Sequence, residues 1–274
     1  MKKTTTRLLA ILLAALLLCG VLPLAAAAEG ADITDKFTDR AFRAAVQELI
    51  GKDVILDVDV AEVGELDVFG WDYDKESVGN IKSLAGLEYF TALEELSFYK
   101  NQISVLPDLP AGLLHLTCFT NRLTSLPELP SGLKTIDCGY NQLSALPELP
   151  SSLRYLNCRN NQLTSLPALP AGLIQLDCSS NQLSALPALP ASLEILWCGR
   201  NQLTSLDVTG LQQLWSFDCS YNNMPNISAV KGFSRKGVSF GFYPQNHHFW
   251  ATWPLWAQFI LGIVLFGWLW MRWL

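Results

Sequence analysis

From Leu93 to Asn222 apolar and polar positions repeat on a fixed frame, L-x-x-L-x-(C/F)-x-x-N-x-L-(S/T)-x-L-(P/D), followed in most copies by x-L-P-x-(G/S). Copies begin at Leu93, Leu113, Leu133, Leu153, Leu173, Leu193 and Leu214, a period of twenty residues with one step of twenty-one. Alternate residues of a short strand point to opposite faces, so Leu153, Leu156 and Cys158 face inward while Tyr155 and Asn157 face solvent. Pro167 and Pro170 then favour an extended, polyproline-like return over a helix. A period this short predicts a stack of coils that shares one continuous core.

The fixed polar position of the frame holds Asn101, Asn121, Asn141, Asn161, Asn181, Asn201 and Asn222. An asparagine there turns the chain out of the strand, and its amide has donors and an acceptor for the backbone of adjacent coils. This frame resembles the leucine-rich repeat, in its short bacterial form whose convex side reads L-P-x-L-P, over roughly residues 54 to 224. The resemblance implies a right-handed solenoid with a short parallel β-sheet on its concave face and an extended, polyproline-like convex side.

Both ends of such a stack need covering. Residues 35–52, "DKFTDRAFRAAVQELIGK", predict an N-terminal cap helix with Phe42, Val46, Leu49 and Ile50 on its apolar face and Thr38 as N-cap. Phe37 and Phe42 are placed for a hydrophobic staple, and Gly51 for the position after the helix. A degenerate coil follows, with Val63, Leu66 and Val68 in strand positions and Ile81, Leu84 and Leu87 resuming the frame. The insertion between them carries Trp71 and Tyr73 among acids and reads as a tolerated surface insertion, with a protruding binding loop as the alternative. After the repeats, Ile227, Val230 and Phe233 continue the apolar pattern, and "GVSFGFYP" alternates as a last strand would. The caps resemble those of leucine-rich surface proteins from Gram-positive bacteria.

Two apolar segments lie outside this frame. Lys2, Lys3 and Arg7 precede an apolar run from Leu8 to Leu24 and the small residues Ala26, Ala27 and Ala28, the order of a secretory signal peptide. Phe249 to Met271 is 23 residues, about 34 Å as a helix, against a hydrocarbon core of about 30 Å. Tryptophans flank it on both sides and Arg272 follows it, which predicts one transmembrane helix with the N-terminal domain outside. The expected organisation is signal peptide 1–28, cap helix and degenerate repeat 29–92, seven repeats 93–224, C-terminal cap and juxtamembrane segment 225–248, and membrane anchor 249–274. Expected localisation is therefore single-pass in a cell membrane with an extracellular domain, of a Gram-positive bacterium if the cap resemblance holds.

The cysteines Cys118, Cys138, Cys158, Cys178, Cys198 and Cys219 occupy the third inward strand position, which Phe98 takes in the first full copy. Free cysteine packs as a small hydrophobe. Neighbouring copies lie about 4.8 Å apart, within disulfide range, but their Cβ vectors run parallel where a disulfide needs a dihedral near 90°. Free buried thiols are expected; disulfide pairing and metal binding are the alternatives, the latter without a histidine column or C-x-x-C spacing.

Chemistry is sparse. The histidines His115, His247 and His248 stand in no triad or metal-ligand context, and no catalytic motif appears, so neither an enzyme nor a cofactor is expected. Removing residues 1–28 takes three positive charges and shifts the formal net charge from −6 to −9, which disfavours a nucleic-acid partner. What remains is the concave strand face. Its candidate binding residues are Tyr140, Tyr155, Asn157, Arg159, Asp177, Trp197, Arg200, Asp218 and Tyr221, with tyrosine, tryptophan and arginine the types that dominate binding energy. The expected ligand is a protein, or an envelope glycan, close to the membrane surface. The alternative is a cell-envelope scaffold or spacer with no single ligand.

Overall fold

The computed structural model describes residues 30–69, 80–234, 237–243 and 245. The signal peptide, the Trp71 insertion and the C-terminal apolar segment lie outside the described residues. Among the described residues, no helix is long and apolar enough to cross a membrane.

Nine strands, each of three residues, form one parallel sheet. They are β1 (Glu65–Asp67), β2 (Glu95–Ser97), β3 (His115–Thr117), β4 (Thr135–Asp137), β5 (Tyr155–Asn157), β6 (Gln175–Asp177), β7 (Ile195–Trp197), β9 (Ser216–Asp218) and β11 (Ser239–Gly241), in that spatial order. Register is set by the period: Leu116 pairs with Ile136, Ile136 with Leu156, and Leu156 with Leu176. Two short strands, β8 (Leu206–Asp207) and β10 (Val230–Lys231), pair separately. The result is a parallel-sheet solenoid of about seven turns with an extended return in each.

The core follows the alternation. Leu153, Leu156 and Cys158 are buried and Tyr155 is exposed; in the other repeat coils the inward positions are likewise buried and the first strand position is exposed or half-buried. The asparagines bridge adjacent coils. Asn141 Oδ1 accepts from Leu123 N at 3.0 Å, while its Nδ2 donates to Cys118 O and Cys138 O at 3.0 and 3.1 Å. Sheet bonds cannot reach these groups where the chain leaves the strand, so the side chain replaces them. Gln245 continues the ladder beyond the last asparagine: its Oε1 accepts from Asn222 N and its Nε2 donates to Cys219 O.

Immediately before each asparagine stands a residue with positive φ, near +55°: Lys100, Thr120, Tyr140, Asn160, Ser180, Arg200 and Tyr221. None is glycine, although a left-handed residue with a Cβ carries a cost of about 1–2 kcal/mol. The cost is tolerated because bonds on both sides fix this corner, such as Tyr140 N to Arg159 O at 2.8 Å. The corner also aims seven side chains outward in one row.

The helix α1 (Arg40–Ile50) begins at Asp39 and not at Thr38. Asp39 Oδ1 accepts from Ala41 N and Phe42 N, and its Oδ2 accepts from Lys82 N and Ser83 N, so one carboxylate serves both the helix and the resumed frame. A threonine has a single side-chain oxygen and cannot do both. With Asp39 as N-cap, Phe37 and Phe42 are no longer in staple spacing, yet their rings still meet at 5.5 Å. Gly51 ends the helix in the left-handed conformation, as the sequence predicts. Phe42 and Val46 are buried, but Leu49 is 50% exposed because only about one stripe of so short a helix meets the core. A second helix, α2 (Asp57–Ala61), which the repeat frame does not anticipate, precedes β1. At the other end β11 pairs with β9 as the alternation predicts, while Ile227 is 38% exposed and stands outside the core.

Candidate functional site

The six cysteines form a file of buried, free thiols behind the sheet. Burial pushes them up, most of them well above the ordinary thiol range, and Cys219 to about 12. A thiol held protonated is a poor nucleophile and a poor metal ligand. Among the described residues, no group of three or more histidines, cysteines and carboxylates is placed to hold a metal ion. The file is core, and the opposite face of the sheet is the one that presents accessible side chains.

On the concave side a hollow of about 380 Å³ opens across β5 to β9. Arg159 and Arg200 flank it, Trp197 and Tyr221 form part of its wall, and Asp177 and Asp218 line it with serines between them. Each carboxylate is fixed by its own turn: Asp177 Oδ1 accepts from Ser179 N and Asp218 Oδ1 from Ser220 N. Trp197 Nε1 donates to Ser216 Oγ at 3.0 Å, which lays the indole across the neighbouring strand. The Arg200 guanidinium sits 4.5 Å from the centroid of the Tyr221 ring, and that of Arg159 lies 5.0 Å from Tyr140. Cation–π contacts of this kind hold a long side chain in one place without neutralising it.

Arg159 has a second constraint. Its Nε is buried and has no hydrogen-bond partner, and its stem crosses Gly139, where an added Cβ would sit 3.0 Å from Cγ. The small residue at 139 lets the side chain lean back onto Tyr140. Next to this pair, burial raises the Asp137 carboxyl, an effect opposed by hydrogen bonds from Gly139 and Asn157 and by the nearby Arg159 charge.

Six of the nine candidate residues meet in the hollow: Arg159, Asp177, Trp197, Arg200, Asp218 and Tyr221. Tyr155, 44% exposed, stands at the first position of β5, outside it. Tyr140 acts only through Arg159, and Asn157 spends its Oδ1 on Arg159 N. Asp177 is a correction in burial: read as solvent-facing, it is 3% exposed, packed in register between Asn157 and the bulky Trp197. Sequence reasoning missed Ser179, Ser180, Gly199 and Ser220, which shape the hollow by being small. The signal for them was a gap in the column of large residues.

Residues 151–191 match the family model for leucine-rich repeats in two copies. Solved structures similar to the chain include YopM, a leucine-rich effector protein from Yersinia pestis, at 26% identity over 73% of this chain and 62% of that one, with a TM-score of 0.54. The leucine-rich repeat domain of a Shigella effector aligns at 27% identity over 67% and 82% of the two chains, with a TM-score of 0.55. Residues 151–191 carry leucine-rich repeats, and the described residues share the fold of these repeat solenoids. Internalin C2 from Listeria monocytogenes shares the fold, with a TM-score of 0.57 at 20% identity over 78% of this chain and 98% of that one. The chain spans 62% of the length of the YopM chain it matches. No curated protein sequence matches it.

Proposed function

We propose that this leucine-rich repeat chain is a non-enzymatic binding module that takes a protein ligand on its concave face. The observation that carries the reading is the convergence of Arg159, Trp197, Arg200 and Tyr221 around one hollow on a sheet whose reverse side is wholly committed to packing. Arginine and aromatic residues held in place in a concavity are the usual anchors of protein recognition. The YopM and Shigella neighbours are effectors, which agrees with a module that acts by contact. A scaffold without a ligand would have no need of two arginines stacked on tyrosines at one spot.

The test uses a captured partner of the full-length chain. Trp197→Ala and Arg200→Ala are each expected to weaken it by at least about 1 kcal/mol, roughly fivefold or more, with the melting transition nearly unchanged. Substitutions on the convex return, such as Glu148→Ala, are expected to leave it intact. The reverse pattern would place the site on the convex side.

The same reading includes export and anchoring. A signal peptide at residues 1–28 and one span within 249–274 would carry the solenoid to the outer face of a cell membrane. Deleting 249–274 is expected to release the protein into the medium. Persistence of the truncated chain in the membrane fraction would remove the anchor from the reading.

A further inference from the structure

The two adjacent corner positions that follow each strand carry flat side chains, at one position or the other from coil to coil. Phe69, Tyr99 and Phe119, on the first three coils, stack nearly parallel with centroids 5.5 and 4.7 Å apart. Tyr140 then carries the Arg159 guanidinium, and two coils further on Arg200 lies on Tyr221. Every coil from β1 to β9 supplies a planar group to this row except the coil of β6, which has Ser179 and Ser180 there. The concave hollow is that vacancy.

Its dimensions suit one missing rung. Two strand spacings separate the coils of Arg159 and Arg200, about 10 Å, and both arginines lean outward, Arg159 onto Tyr140 and Arg200 onto Tyr221. A ring seated midway lies about 5 Å from the coil on either side, the spacing at which Phe69, Tyr99 and Phe119 stack. Charge narrows the choice. Two arginines disfavour a cation and two aspartates disfavour an anion, so the group is neutral. Carboxylates and serine hydroxyls around the cavity leave a purely apolar ring without partners for its polar surroundings, whereas a phenol brings a donor.

We infer that the vacancy at Ser179 and Ser180 is a subsite for a tyrosine side chain presented by the protein partner. The ring lies between the Arg159 and Arg200 guanidiniums, and its hydroxyl reaches the acidic floor. Guanidinium faces stack well on aromatic rings. The inference rests on the concave-face reading and supplies the chemistry of its partner.

The decisive variant fills the gap from within. Ser180 has φ +56°, the conformation that Tyr140 and Tyr221 adopt at the equivalent corner, so Ser180→Tyr has two precedents in this chain. The probe is N-acetyl-tyrosinamide, titrated into the full-length protein in detergent micelles and followed by saturation-transfer NMR. Wild type is expected to bind it saturably in the millimolar range, at least threefold more tightly than N-acetyl-phenylalaninamide. Ser180→Tyr is expected to lower binding at least tenfold and Arg200→Ala at least threefold, with melting transitions retained. Should Ser180→Tyr fail to fold, Ser179→Phe fills the same space with the residue type of Phe119 and gives the same reading. Absence of saturable binding to wild type, or equal binding by wild type and a folded gap-filled variant, overturns the subsite. If the partner is lost with Trp197→Ala while the probe never binds, the concave-face reading stands and the tyrosine subsite falls. If the probe binds and Trp197→Ala and Arg200→Ala leave the partner untouched, the subsite stands and the partner docks elsewhere.

Discussion

Raising the pH from 8 to about 10.5 is expected to unfold the solenoid in one cooperative step. Six thiols are buried in file, and burial holds their pKa values well above the ordinary range, with Cys219 at about 12. In the unfolded chain they titrate near 8.5. A folded pKa above the unfolded one means that the contribution is complete below about pH 8.5 and falls away as pH rises towards the folded values. Each thiol then removes about 1.4 kcal/mol per pH unit, and six together about 8 kcal/mol per unit as an upper bound. A domain of ordinary stability has about 5–15 kcal/mol in all, so one to two units suffice. Far-UV circular dichroism against pH checks the midpoint. The double variant Cys158→Ala/Cys178→Ala is expected to flatten the pH dependence by about a third, whatever its packing cost at neutral pH. A chromogenic thiol reagent is expected to find the six protected at pH 7.5 and all reactive in denaturant. An unchanged slope in the double variant would remove the thiols as the cause.

The repeat frame made most of the solenoid legible because each coil restates the same local rule. Leucine and cysteine alternation assigned the core, and the asparagine column assigned the turns, since both depend on residues adjacent in sequence or one period away. Features that depend on contacts outside the period were not legible in the same manner. Asp39 displaces Thr38 as N-cap because its second oxygen serves Lys82 and Ser83, more than forty residues on. Asp177 is buried because Trp197, alone among the residues of its column in size, stands beside it in the next strand. The hollow was half legible. Its arginines and aromatics are large residues of suitable type, whereas its position is set by Ser179, Ser180, Gly199 and Ser220, and a search for large exposed side chains passes over small ones. The left-handed corner was hidden for a related reason: its seven residues are of six types, none of them glycine, because bonding between coils and not local preference fixes its φ.

Asn181→Ala is expected to cost the protein about 3–5 kcal/mol, more than any truncation on the concave face. Asn181 is 9% exposed and spans two coils. Its Oδ1 accepts from Leu163 N at 3.0 Å, and its Nδ2 donates to Cys158 O and Cys178 O at 3.0 and 3.1 Å. Truncation strands one buried N–H and weakens the satisfaction of two buried carbonyls, each such group costing about 1–3 kcal/mol. Asn181→Asp separates the two halves of the amide. A carboxylate keeps the acceptor for Leu163 N but turns an oxygen towards two carbonyls, so at pH 7 it is expected to be at least as damaging as alanine. Facing acceptors raises the folded pKa of that new carboxyl, so part of the loss returns as pH falls from that raised value towards about 4, where the proton restores a donor. Asn161, half-buried in the equivalent position with the same bonding pattern, supplies the control: Asn161→Ala is expected to cost less, because solvent reaches part of the site. Urea denaturation of the four proteins, with m-values compared, checks the order. A coil freed from its neighbour loses the interface on which a one-dimensional stack depends, so a fall in m together with the midpoint would show unravelling from the broken rung. If Asn181→Ala costs less than about 1 kcal/mol, the asparagine ladder is not what joins the coils, and the sheet and leucine core hold them without it.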